Sequence, residues 1–141
     1  MGLALLTLVP AGASAGTLAD YERVSERVWG HAPPVVYTWA HSGAEMARYC
    51  DPAHTLPAGP IAACADLGGP GMFLSWPEWL AMDRLTRCRL HAHEWGHLLG
   101  WTHGDALFIA MERRARRLCQ RRFVRRGWFV SRLRAVPSPS I

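Results

Sequence analysis

The chain contains no lysine, and all sixteen of its basic residues are arginine. It also lacks an internal repeat, a cysteine pair at C-x₂₋₄-C spacing, and an apolar run approaching the 18 or so residues of a membrane span. Each absence narrows the function. Without repeats there is no solenoid or propeller signature. Without close cysteine pairs a thiolate zinc cluster is disfavoured. Without a long apolar run no transmembrane helix is expected. Acidic residues are missing from the last segment: residues 113–141 carry ten arginines and no acid, whereas residues 1–112 carry six arginines against eleven acids, a net −5. A basic region of this kind suits contact with anionic lipid, nucleic acid or an acidic partner through residues 113–134, and it equally suits a solvated helix face. No nucleic-acid motif accompanies the charge, so that function stays secondary.

What is present fits one domain. The chain has 141 residues, half of them hydrophobic, enough for a sizeable core over residues 16–134, with 135–141 as a loose tail. Residues 3–9 form a short apolar stretch, and Ala13-Ser14-Ala15 has the small residues of a signal-peptide cleavage site. The expectation is an export signal over residues 1–15, although no basic residue precedes the apolar stretch; the alternative is an N-terminal strand or uncleaved tail. Four cysteines agree with export to an oxidising, extracellular compartment. They allow three pairings if all are oxidised. Cys88 and Cys119 each fall on an apolar helical stripe, which favours Cys88–Cys119 with Cys50–Cys64 over four reduced thiols.

Residues 93–103 carry the chemistry: His-Glu-Trp-Gly-His-Leu-Leu-Gly-Trp-Thr-His. On a helix His93 and His97 stand one turn apart on the same face, where two imidazoles can hold one Zn²⁺. Glu94 lies about 100° round the helix, close enough to act as general base on a metal-activated water without becoming a ligand. Gly100 can take the left-handed conformation that ends a helix, letting the chain swing back so that His103 becomes the third ligand. Three protein ligands leave a coordination position open, the mark of a catalytic zinc site. Leu85, Cys88, Ala92, Trp95 and Leu99 form a separate apolar stripe at about 200–280° from His93, so the helix buries one side and turns its histidines to another. His91 projects to about 160° and reads as a surface histidine.

The run HExxHxxGxxH, with Met111 eight residues beyond His103, resembles the signature of the metzincin zinc peptidases, and the spacing looks like their matrixin branch. The resemblance is specific over residues 93–111 and loose elsewhere. It implies an α+β peptidase domain with a twisted, mostly β sheet, an active-site helix and a C-terminal helix. It also implies zinc on His93, His97 and His103, Glu94 as base, and Met111 in a Met-turn beneath the metal. The chain departs from that pattern in having Glu112-Arg113-Arg114 after the methionine, without proline, and in being short. Met111 also belongs to an apolar stripe with Ala115, Leu118, Cys119 and Phe123, which gives it a core role as well.

The expected function is therefore a secreted, monomeric zinc metalloendopeptidase acting on a protein or peptide substrate. The alternatives are a zinc-stabilised binding module, which a fourth ligand such as Asp105 would favour, and an arginine-rich protein that binds anionic lipid or nucleic acid. No tyrosine follows Met111 to serve as a second oxyanion donor. Along the rest of the chain, a helix is predicted from Thr17 to a stop at Pro33-Pro34, a strand over 35–39, and a short helix over 42–49. A hairpin of 61–67 with 72–76 comes next, and a helix opens at Pro77. By the same resemblance, one strand of that hairpin is an edge that would hold an extended substrate, and the sequence does not say which.

Overall fold

A computed structural model describes residues 15–57 and 59–124. The tail from 135, the 128–130 run and the leader up to residue 14 lie outside the described residues. Helix α1 spans Ala15–Trp29, starting two residues before the predicted Thr17 and burying Tyr21, Val24 and Val28 along one stripe. Its end is Gly30, which takes φ 74° and donates its N–H to the Glu26 carbonyl at 2.7 Å. Pro33-Pro34 only follows in the connection. The helix stops earlier than the prolines suggest because glycine supplies the left-handed cap at low cost.

Strand β1 (Val36–Ala40) leads into helix α2 (Gly43–Cys50), whose N-cap Ser42 accepts from the Glu45 N–H at 3.1 Å. The predicted hairpin is present but trimmed, as β2 (Ala63–Ala65) antiparallel to β3 (Gly71–Ser75) with Cys64 opposite Phe73. Helix α3 (Trp76–Ala81) has Pro77 in its first turn. Helices α4 (Arg84–Leu98) and α5 (Ala106–Phe123) complete the described residues.

The sheet order is β1-β3-β2, with β1 parallel to β3. Strand β3 is therefore central, and its Met72 and Leu74 are fully buried, while β2 is an edge. The described residues form a mixed α and β domain, consistent with α+β, but among them the three strands are short and five helices outweigh them. A mostly β sheet is not what forms, because most of the buried apolar residues lie on helices.

Helix α4 packs against both α1 and α5, and those two also touch each other. The core gathers Tyr21, Val24 and Val28 of α1 with Cys88, Ala92, Trp95 and Leu98 of α4. Both disulfides of the favoured pairing are formed. Cys88–Cys119 staples α4 to α5 within the core, and Cys50–Cys64 ties the end of α2 to the edge strand β2.

His91 is not a surface histidine, as the helical projection implied. It is fully buried, with Nδ1 2.8 Å from Ser25 Oγ and Nε2 2.8 Å from the Tyr37 hydroxyl. The projection failed because α4 is covered on more than its apolar stripe: α1 lies over the flank that carries His91. The Tyr37 hydroxyl donates to Glu22 at 2.8 Å, so its oxygen accepts from His91 Nε2–H and Ser25 donates to Nδ1. Every polar atom of this buried chain has a partner, and burial lowers the pKa of His91 to about 3, so the ring is neutral.

Candidate metal centre

The centre is built at the C-terminal end of α4. That helix starts cleanly because the Asp83 carboxylate caps it, accepting from the Thr86 N–H at 2.7 Å. Its 3.6-residue period puts His93 and His97 on one face. Gly96, between them, is a place where only glycine fits: a Cβ there would come within 3.0 Å of the rings of both Trp29 and Phe108. Gly100, at φ 90°, then reverses the chain, with the Gly100 N–H donating to the His97 carbonyl at 2.9 Å and the Trp101 N–H to the Gly96 carbonyl at 3.0 Å. The Gly68 N–H donates to the same His97 carbonyl at 2.8 Å, so the β2–β3 turn is fastened to the helix end.

The return loop is held by Asp105. Its carboxylate accepts from the Thr102 N–H at 2.7 Å and the Thr102 hydroxyl at 2.9 Å, and these bonds keep it below the usual carboxylate pKa. His103 is thereby brought back over α4. The three Nε2 atoms stand 3.3 Å (His93–His97), 3.1 Å (His97–His103) and 2.9 Å (His93–His103) apart. A tetrahedral ion with bonds of about 2.0–2.1 Å requires donor separations of about 3.3 Å, so the three fit one metal ion with little adjustment. They are the one group of three or more ligating side chains among the described residues able to share an ion, and Asp105 is not part of it.

The far nitrogens of two rings are already engaged. His93 Nδ1 is 2.6 Å from the Glu112 carboxylate, and His97 Nδ1 is 2.7 Å from the Trp101 carbonyl. Donation from Nδ1 fixes the tautomer and leaves each Nε2 lone pair facing its neighbours, the state a metal ligand needs. Burial is the main influence on His97 and lowers its pKa, which also favours the neutral ring.

Glu94 is the carboxylate beside this cluster. It is only 5 % exposed, and burial raises its pKa to about 7. With His93, His97 and His103 it lines a cleft of about 470 Å³ whose other wall includes Ala63, Cys64 and Ala65 of the edge strand β2. A buried carboxylate, three convergent imidazoles and the β2 strand therefore share one cavity.

Phe108 packs against all three histidines. The Phe108 ring is 1 % exposed and stacks on His97 at 4.9 Å between centroids, with His93 at 5.0 Å and His103 at 5.4 Å. Met111 is in the second turn of α5, half-buried against the core. Helix α5 begins at Ala106, directly after the loop, which puts Phe108 in its first turn beside the histidines. Phe108, Glu112 and the Trp101 carbonyl are the site groups that sequence reasoning missed. Of the arginine-rich segment, Arg122 pairs with Asp20 at 2.8 Å, while residues 125–134 lie outside the described residues. No protein-family model matches the chain, and no curated protein or solved structure is significantly similar to it.

Proposed function

We propose that the protein is a secreted zinc-dependent endopeptidase of metzincin-like type. The observation that carries this reading is the convergence of three Nε2 atoms beside the buried Glu94 in a cleft walled by an edge strand. An all-nitrogen triad on a tetrahedral plan suits Zn²⁺ better than the oxygen-preferring divalent ions. His93, His97 and His103 would hold the zinc, which would supply Lewis-acid polarisation of a carbonyl and a more acidic water. Glu94, with a pKa raised to about 7 by burial, takes the proton from water and returns it to the leaving amine. The outer edge of β2, an edge strand among the described residues, would pair with the backbone of an extended peptide and lay it across the cleft. Two disulfides are compatible with an extracellular setting. A closed structural zinc site would need a fourth ligand, and the Asp105 carboxylate is bound to Thr102 instead.

The test combines zinc stoichiometry with cleavage of a peptide library. Wild type is expected to bind one zinc and cleave; Glu94→Gln should keep the zinc and lose cleavage; His97→Ala should lose both. Undiminished cleavage by Glu94→Gln, or a wild type that takes up no zinc, would overturn the reading.

A further inference from the structure

A second cavity, of about 560 Å³, opens between α4, α5 and Trp29 of α1. It adjoins the metal centre, because His93 and Glu94 line both cavities. Its character differs from that of the β2 cleft. Three arginines line it, each also exposed to solvent: Arg89 from α4 and Arg113 and Arg116 from α5. None of the three has an ion-pair partner among the described residues. The cavity also contains the Glu94 and Glu112 carboxylates, but Glu112 is engaged with His93 Nδ1 and Glu94 belongs to the metal cleft. The three arginines outnumber the two carboxylates at this concavity, so the local charge favours an anion that enters it. Guanidinium forks match a carboxylate in geometry, and Trp29 and Ile109 offer apolar surface for the methylenes that carry one.

We propose that this cavity is a specificity subsite for an acidic side chain, an Asp or Glu of the peptide substrate next to the bond presented at His93, His97 and His103. The proposal rests on the peptidase reading and adds the substrate class: peptides with acidic residues beside the scissile bond. Arg113 and Arg116 thereby acquire a role that Arg114, Arg117 and Arg121, equally exposed on the same helix but absent from the cavity wall, do not share.

The test is equilibrium binding of hexapeptides containing one reduced, uncleavable peptide bond, identical except for Glu, Gln or Lys beside it, to the zinc-loaded full chain. The Glu peptide is expected to bind about tenfold or more tighter than the Gln peptide, and the Lys peptide weaker still. Arg89→Gln and Arg116→Gln should each remove most of that preference without changing zinc content. The triple variant Arg114→Gln/Arg117→Gln/Arg121→Gln should retain it. Equal affinities for the Glu and Gln peptides overturn the proposal, as does a loss of preference in the triple variant as large as in the cavity variants. Hydrolysis is not read in this assay. Library cleavage without acid preference therefore sinks the subsite alone, and acid preference without any cleavage sinks the peptidase alone.

Discussion

Replacing Gly96 by alanine separates two effects of opposite sign. In an exposed helix the change is stabilising by about 1 kcal/mol, because alanine has the higher helix propensity. In α4 the added Cβ would come within 3.0 Å of the rings of Trp29 and Phe108, neither of which bends. Trp29 has room to tilt toward the neighbouring cavity, but its Nε1–H donates to the Ala92 carbonyl at 2.8 Å, and losing that bond costs about 1 kcal/mol. The propensity gain and the hydrogen-bond loss cancel, leaving the overpacking penalty of about 1–3 kcal/mol. For a domain of this size the melting temperature should fall by roughly 3–6 °C per kcal/mol. Phe108 is displaced by the same methyl group, and it is the floor of all three histidines, so metal affinity should fall with stability. The assay is urea denaturation of the oxidised protein in chelator, beside a competition titration with zinc. An unchanged or raised midpoint would mean that α4, α1 and α5 do not meet as closely as described.

Glu112→Gln should lower zinc affinity about 10–100-fold by removing the carboxylate that orients His93, with little change in the melting temperature of the metal-free protein, since Glu112 is exposed; equal affinity would refute that role. Cys88→Ser/Cys119→Ser should cost about 4 kcal/mol and Cys50→Ser/Cys64→Ser about 3 kcal/mol, from closed loops of 31 and 14 residues, compared by urea midpoints. Because burial holds the folded-state pKa of His91 near 3 against about 6.5 when unfolded, the unfolded state binds the extra proton. Stability from this group is complete above about pH 6.5 and falls by about 1.4 kcal/mol per unit as pH drops toward 3; the wild-type slope in chelator should exceed that of His91→Gln, and parallel slopes would refute it.

What was legible in the sequence is what depends on short spacing. The i,i+4 pair His93 and His97, the reversal at Gly100 and the return of His103 follow from helical period and glycine conformation, and the histidines do converge. The disulfide Cys88–Cys119 was legible because both cysteines lie on apolar stripes that face one another once two helices pack. What was not legible depends on how α5 and α1 dock across α4. Glu112 reaches His93 over a separation of 19 residues, and no local pattern marks it. His91 reads as a surface residue when one stripe is counted as the whole buried face, whereas a central helix is covered on several sides. Phe108 packs against all three histidines, and no local pattern marks it either.

These departures have a common origin, because the centre is shared between two helices rather than carried by one. Helix α4 brings His93, His97 and Glu94, whereas α5 brings the Phe108 floor, the Glu112 carboxylate and two of the three arginines in the adjoining cavity. The staple between Cys88 and Cys119 fixes α5 on α4. Metal binding and the packing of α5 are therefore linked: whatever loosens α5 withdraws the floor and the orienting carboxylate together, and an ion bound by the three histidines resists that loosening by about 1.4 kcal/mol for each tenfold difference in affinity between packed and loosened states. The acid-free segment that begins at residue 113 is likewise not of one kind. Arg122 holds Asp20 of α1, the exposed Arg113 and Arg116 line the cavity beside His93, and the equally exposed Arg114, Arg117 and Arg121 do not. Position on the helix, rather than the total of ten, decides which arginines act at the site.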